Sequence, residues 1–343
     1  MSSVPELTVV IPFYNRGDTV PLTLESVRRA RHGLRIETLL IDDGSTPPAT
    51  ELFRGATPAP DRIIRQENQG LLFARLAGLR AATSDYVMFL DSDDLVGPEK
   101  FTAQLAAMRA TNADVSYTDA ANVELRTPYD AMRPTPDAVT EETDNSATFF
   151  IRIQGPPHSP VYRTAWLRHV VDTAFFPPSP LYNSVAEIWF YHNAAIHPAR
   201  VVKVPGPHTI NGHHAGARLT NHWEKIAVCA LAVMEAFVRH CPVRADTYLV
   251  RRLVGERALC SFRRLPRGFF LAHQRRLIRV WRRCPPSDLR AVGEKNFVRL
   301  ARVIGPFAAA WLLRRLRNGP YSGCRSIADD RLFHEWLAQL PPP

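Results

Sequence analysis

Short apolar runs alternate with stretches of helical period through the first hundred residues. Leu7-Thr8-Val9-Val10-Ile11 is a continuous apolar run closed by Pro12, the pattern of a strand covered on both faces of a parallel sheet. Asp18 then stands where it can cap a helix that has Pro21 in its first turn and Val20, Leu24 and Val27 on one face. A second run, Thr38-Leu39-Leu40-Ile41, stops at Asp42-Asp43-Gly44-Ser45. A third strand around Arg62-Ile63-Ile64 leads through Asn68-Gln69-Gly70 into a helix over 71–82, and a fourth, Tyr86 to Leu90, ends at Asp91-Ser92-Asp93-Asp94. A helix from Pro98 through Leu105 follows. This alternation predicts an α/β fold with a doubly wound, mostly parallel sheet, in which ligands bind at the carboxyl ends of the strands.

The pattern changes twice further on. Residues 127–159 are Pro-rich and polar without a sustained period, which predicts a long loop or insertion, with ordered elements resuming at Val161. From Trp223 the period is helical: Ile226, Ala230, Val233 and Phe237 share a stripe, and Leu249, Leu253 and Leu259 continue it among arginines. A boundary is expected near 220, between a domain over 1–220 and a helical, basic C-terminal region over 221–343. The longest apolar run, Val303 to Leu313, is interrupted by Gly305 and Pro306. A bilayer core needs about twenty apolar residues, so no spanning segment is expected. The first six residues lack the basic start and apolar core of a cleaved leader.

Composition sharpens this picture at one point. The 343 residues are 45% hydrophobic and 22% charged, which excludes a disordered, collagenous or coiled-coil chain. The net charge of +10 is uneven: residues 1–200 hold 18 Lys and Arg against 24 Asp and Glu, and 201–343 hold 25 against 9. The second stretch is therefore expected to meet something anionic, whether a phosphate-bearing substrate, a membrane surface or nucleic acid. The five cysteines are odd in number, widely spaced and without C-x-x-C or zinc-type spacing, which reads as reduced thiols in a cytoplasmic protein.

The acidic strand ends carry the candidate chemistry. With 18 aspartates in the chain, about one D-x-D arises by chance, so position gives Asp91-Ser92-Asp93 its weight. Two carboxylates at alternate positions beside a strand mouth share a side and repel unless a cation lies between them. A hard divalent ion accepts one or two carboxylates plus phosphate oxygens, which suits a diphosphate substrate; the competing reading is a helix cap at Asp93 or Asp94. At Asp42-Asp43 one carboxylate can accept from the ring N–H of a uracil or guanine, or the pair can simply form an Asx turn with Gly44 and Ser45. Arg75, just over one helical turn after Asn68-Gln69-Gly70, can reach a base or a diphosphate, or stand as a solvated surface residue.

Val9-Val10-Ile11-Pro12-Phe13-Tyr14-Asn15, Ile41-Asp42-Asp43-Gly44-Ser45, Asn68-Gln69-Gly70 with Ala74-Arg75, and Phe89-Leu90-Asp91-Ser92-Asp93-Asp94 together resemble the family 2 glycosyltransferases of GT-A fold, over residues 5–115. The resemblance implies a nucleotide-binding half over 5–115, an acceptor half over 116–220, and inverting sugar transfer from a nucleoside-diphosphate sugar, UDP-sugars favoured, with Mn²⁺ or Mg²⁺. It implies that Pro12 and Tyr14 frame the base, that Asp43 accepts its ring N–H, and that Asn68 and Arg75 lie on the donor. Asp91 would lie by the ribose and metal, and Asp93 would ligate the metal. The family places an acidic base in a helix mouth some 90 to 110 residues past the D-x-D. There Asn183-Ser184-Val185-Ala186-Glu187-Ile188-Trp189-Phe190 allows two alignments: one makes Glu187 the base, and the other puts Ile188 at that position and leaves none. The first is preferred because Phe190 and Ala194 then also fit, and because Glu187 is the only carboxylate between Asp172 and Glu224. An N-terminal helix charge is its structural alternative.

Family members also place a His after that helix, over the diphosphate. His213 and His214 are adjacent and expected to point apart, so one at most fills this place; His214 is the candidate metal ligand. His158 lines the acceptor side or is a plain loop residue. The expected acceptor is a glycan, lipid or small-molecule hydroxyl in polysaccharide, glycolipid or glycoconjugate synthesis. A rival reading is a nucleotide-sugar-binding protein without a base. Another treats Arg-rich residues 251–317 as a nucleic-acid module, but no interleaved stacking aromatics or reader motif accompany the arginines, and no nucleic-acid partner is expected. Peripheral attachment to anionic lipid fits better, through Phe269, Phe270, Leu277, Ile278, Trp281 and the Val303–Leu313 run.

Overall fold

The computed structural model describes residues 4–216 and 221–342. They divide into two compact units: residues 4–174 with 197–216, and residues 175–196 with 221–342. The second unit thus takes in a segment from the middle of the chain as well as the C-terminal helices.

The first unit contains β1 (Leu7–Phe13), α1 (Val20–Ala30), β2 (Ile36–Asp43), α2 (Ala49–Leu52), β3 (Arg62–Gln66), α3 (Leu71–Ala81), β4 (Tyr86–Phe89), β5 (Leu95–Val96), α4 (Lys100–Thr111), β6 (Val115–Glu124), β7 (Thr135–Pro136), β8 (Val161–Arg163), α5 (Thr164–Asp172) and β9 (Val201–His213). The sheet runs β3-β2-β1-β4-β8-β6-β9-β5, with β7 paired to β6. Its first four strands are the four apolar runs of the sequence, all parallel: β1 lies between β2 and β4, and β3 pairs with β2. Every residue of β1 is buried, as a central strand covered on both faces requires. β4 then meets β8 antiparallel, β8 meets β6 antiparallel, and β6 runs parallel to β9. The expected doubly wound α/β sheet is present, and the strands beyond residue 90 extend it as a mixed sheet.

Two local expectations differ from the structure. Asp18 is not the cap of α1: Thr19 holds that position, without a side-chain hydrogen bond, and Pro21 sits in the first turn as expected. The Pro-rich stretch 127–159 is not simply a loop. It carries the short strand β7 and a wide helical turn at Thr148–Ile153 with Phe149, Phe150 and Ile151 buried. Phe149 packs on Tyr117 at 4.4 Å between ring centroids, and Phe150 stacks on Trp166 at 6.0 Å. Three consecutive apolar residues are too few to reveal a period, which is why the pattern missed them.

The second unit is helical: α6 (Ala186–Ala194), α7 (Trp223–His240), α8 (Tyr248–Arg264), α9 (Leu271–Arg282), α10 (Leu289–Val292), α11 (Lys295–Ile304), α12 (Pro306–Arg317) and α13 (Asp330–Ala338). On α7 the buried face is broader than the predicted stripe, including Val228, Leu231, Val233, Met234 and Phe237, while Ile226 and Ala230 are only half-buried. The apolar surface assigned to lipid also changes. Phe269, Leu277 and Ile278 are buried in the helical core, whereas Val303, Ile304, Phe307 and Trp311 are exposed. Phe269 sits among Phe270, His273, Tyr321 and Phe333, so an aromatic cluster claims what a one-dimensional pattern could only label apolar. Among the described residues no helix is long and apolar enough to cross a membrane.

Candidate active site

Two parallel strands, β2 and β4, deliver the acidic positions to one end of the sheet in the first unit. At the end of β2, Asp42 is buried and accepts from the backbone N–H groups of Ser45 (2.8 Å) and Ala49 (2.9 Å) and from the Arg65 guanidinium at 2.5 Å. Burial alone raises a carboxyl pKa, but these donors win and hold Asp42 below the usual carboxylate range. Asp42 is thus spent on closing the turn that starts α2. Asp43 is also buried and fixes the neighbouring loop: Oδ1 accepts from Gln66 Nε2 (2.7 Å) and Gln69 N (2.9 Å), and Oδ2 from Gly70 N (2.8 Å). A carboxylate has about four acceptor sites, so Oδ2 keeps capacity for one more donor. Asn68, in the loop that Asp43 holds, is exposed.

The end of β1 joins the same turn. Pro12 is buried in register with Ile41, and Tyr14 just beyond the strand is 50% exposed. Asn15 donates its backbone N–H to Ser45 Oγ (3.1 Å) and accepts from Thr46 N (2.8 Å) through Oδ1.

β4 stops at Phe89, and Asp91 to Asp94 form a tight turn closed by an Asp94 N–H bond to the Asp91 carbonyl (3.1 Å). The three carboxylates are therefore gathered by a turn and not by strand alternation. Each has its own partner. Asp91 Oδ1 takes the guanidinium of Arg75 at 2.6 Å. Arg75 itself is 1% exposed and lies over the Phe89 ring, so it is a core residue of α3 and not a solvated one. Asp93 Oδ2 lies 3.1 Å from His214 Nε2. Asp94 Oδ1 accepts from Gly212 N (2.8 Å), and Oδ2 lies 3.1 Å from Nδ1 of the fully buried His158.

Gly212 makes this meeting sterically possible. A Cβ there would stand 2.0 Å from the Asp93 carbonyl oxygen, so only glycine lets β9 pass so close to the acidic turn. Two residues on, His214 reaches Asp93. His213 turns away to Asn122 Oδ1 at 3.2 Å, the divergence expected of adjacent residues. Gly216 N–H donates to His214 Nδ1 (3.0 Å), which leaves the proton on Nε2 to be donated to Asp93. In that tautomer His214 orients Asp93.

Burial raises the pKa of Asp93, the charges of Asp94 and Asp91 push it the same way, and His214 and Arg16 counter them in part. This is a carboxylate in want of positive charge. No group of three His, Cys, Asp or Glu among the described residues forms a ready metal cage. A Mg²⁺ or Mn²⁺ ion shared with a nucleotide needs only one or two carboxylates, the rest coming from phosphate and water, and Asp93 and Asp91 fit that demand. Behind the turn, Lys100 is wholly buried, donating to the Ser159 carbonyl (3.0 Å) and Thr209 Oγ1 (3.1 Å). Burial pushes its ammonium down to about 7.

Sequence reasoning missed Arg16 and the part played by Asp94. Arg16 lies three residues past β1, and an added Cβ on Gly216 would lie 3.6 Å from its guanidinium. Only its place at a strand end signalled it. Asp94 stood in the acidic string, but its partners His158 and Gly212 are 64 and 118 residues away in sequence. Glu187 belongs to the second unit, partly buried in the first turn of α6, where Trp189 and Phe190 anchor the helix in that unit's core.

Comparisons with known proteins bear on family and fold. Residues 8–169 match the family model described as glycosyl transferase family 2. An uncharacterized glycosyltransferase of Escherichia coli K12, YibD, is 34% identical over 122 residues, 35% of this chain and 35% of that protein. The chain is thus matched to about a third of that relative. Among solved structures, S. aureus TarS 1-349 in complex with UDP-GlcNAc superposes with a TM-score of 0.62 at 18% identity, covering 92% of this chain and 93% of that one. The Pyrobaculum calidifontis mannosyltransferase PcManGT, in complex with GDP-Man and Mn2+, gives 0.53 at 13% identity over 92% and 88%. These neighbours share the GT-A-like fold. The four strings and their strand-end aspartates all fall within residues 8–169, the part of this chain that matches glycosyl transferase family 2.

Proposed function

We propose that the chain is a metal-dependent, inverting glycosyltransferase that moves a sugar from a nucleoside-diphosphate donor, a UDP-sugar by preference, to an acceptor hydroxyl. The observation that carries this reading is the acidic turn at the end of β4, where Asp93 is half-buried beside the like charges of Asp94 and Asp91 and is countered in part by His214 and Arg16. Pro12 and Tyr14 frame the base, and Asp43 offers its remaining acceptor site to the base N–H. Asn68 stands in the loop that Asp43 holds, on the donor side. Arg75 acts on the donor through Asp91, whose carboxylate it fixes for the ribose. Asp93, with Asp91, would hold the divalent cation, which when bound neutralises charge developing on the leaving diphosphate. His214 keeps the Asp93 carboxylate turned to that task.

Glu187 serves as general base, drawing the proton from the acceptor hydroxyl as it attacks the anomeric carbon from the face opposite the leaving group. One displacement without a covalent intermediate inverts the anomeric centre. The donors bound by the structural neighbours, UDP-GlcNAc and GDP-Man, support a nucleotide sugar. Val303, Ile304, Phe307 and Trp311, exposed beside Arg282 and Arg315, supply the apolar and basic surface for peripheral attachment at an anionic membrane on the cytoplasmic side.

The test is turnover of a panel of nucleotide sugars with Mn²⁺, product configuration read by NMR. Transfer with inversion, lost in Glu187→Gln while donor binding persists, sustains the reading. Donor binding without turnover by the wild-type chain leaves the binding-protein reading instead, and retention of configuration rules out a single displacement.

A further inference from the structure

Sugar transfer leaves one cavity of the second unit unused. Arg263, Arg264, Arg290, Arg314 and Arg317 line a space of about 640 Å³, with Glu294 as its one acidic lining residue. That volume is in the range of small-ligand sites. Arg263 and Arg264 are adjacent in sequence, and Arg314 comes from the adjacent pair Arg314-Arg315.

The walls are built. Arg314 is buried, its guanidinium donating to Gln274 Oε1 at 2.8 Å and lying over the Phe262 ring. Arg263 donates to the Val292 carbonyl and lies over Phe297 at 4.1 Å. A Cβ on Gly293 would come within 2.6 Å of the Arg263 guanidinium, so the glycine makes room for that arm. These groups hold their arginines through carbonyls and rings, which leave the positive charge uncancelled. At the rim, Arg317 reaches Glu294 at 3.6 Å, while the exposed side chains of Arg264 and Arg290 meet no carboxylate among the described residues. Burial lowers the pKa of Arg263, and the charges of Arg317 and Arg264 lower it further, which shows how closely the cations are gathered.

Five guanidiniums against one carboxylate exceed what a single carboxylate ligand uses, since one arginine fork satisfies it. A phosphate presents three or more oxygens and accepts several forks at once. We infer that this cavity is a binding site for a phosphate ester, a mono- or diester group, formed by residues separate from the donor-nucleotide machinery.

Titration calorimetry of the full chain in EDTA, with glycerol 3-phosphate as probe, tests this beside co-sedimentation with vesicles of phosphatidylcholine alone or mixed equally with phosphatidylglycerol. The variant Arg264→Gln/Arg317→Gln removes two exposed cavity arginines, and Arg302→Gln/Arg331→Gln removes the same charge outside the cavity. Saturable binding weakened ~10-fold or more by the first pair, as loss of charge-assisted hydrogen bonds predicts, and within about twofold by the second, is the expected result. Loss confined to glycerol 3-phosphate identifies a soluble ester, and loss confined to phosphatidylglycerol vesicles a lipid headgroup. Absence of saturable binding to either probe overturns the proposal, as does equal weakening by both pairs. UDP affinity in Mn²⁺ should be unchanged by the cavity pair, which separates failure here from failure of the donor site.

Discussion

The two charged regions of this molecule handle their charge in opposite ways. In the first unit the strand-end aspartates have dedicated polar partners: Asp42 has backbone donors and Arg65, Asp91 has Arg75, and Asp93 has His214. In the C-terminal stretch, where Lys and Arg outnumber Asp and Glu by 25 to 9, carboxylates are too few. Among the described residues, Arg276 pairs with Glu235, but the other two buried arginines turn to neutral groups. Arg251 donates to the carbonyls of Val238, Cys241 and Arg283, and Arg314 lies on Phe262. Paired carboxylates make a turn that a cation can complete, whereas arginines satisfied by neutral groups keep their charge for an anion.

The comparison breaks most sharply at Asp93. Asp93→Asn removes the carboxylate that the neighbouring charges most disfavour, and sugar transfer should fall ~100-fold or more while the far-UV spectrum stays native. Gly212→Ala places a methyl group against the Asp93 carbonyl and should cost about 1–3 kcal/mol in urea unfolding, with donor binding weakened as β9 is displaced. On the basic side, Arg251→Met strands the carbonyls that the guanidinium serves and should cost ~1–3 kcal/mol, read from the same unfolding curves. Unchanged stability would mean that water replaces the guanidinium, and the contrast between the regions would weaken.

The smallest effect is a pH slope. Burial depresses Lys100 to about 7 in the folded chain, so between pH 7 and its ordinary value of 10.5 the unfolded chain binds more protons. Stability from this group is therefore least below pH 7 and rises toward alkaline pH, by at most about 1.4 kcal/mol per pH unit. Lys100→Met should remove that slope between pH 7 and 9, which unfolding midpoints at several pH values would register.

Much of this was legible in the chain itself. A strand buried on both faces must be apolar throughout, so β1, β2 and β4 announced themselves, and the polar strings at their ends marked the carboxyl edge of the sheet. The strands β5, β7 and β8 are two or three residues long, below the length at which a period exists, and they went unread. The aromatic turn at Thr148–Ile153 was hidden for the same reason.

Local pattern by itself determined the parallel half of the sheet, the acidic strand ends and the basic helical tail, because each follows from side chains within a few residues of one another. Tertiary structure alone decided that His214 meets Asp93 across 121 residues, that Arg75 is a core residue, and that Phe269 and Leu277 are inside while Phe307 and Trp311 are outside. Those outcomes depend on which strand lies beside which and which helix face is covered, and long-range packing sets both without leaving a periodic trace in the sequence.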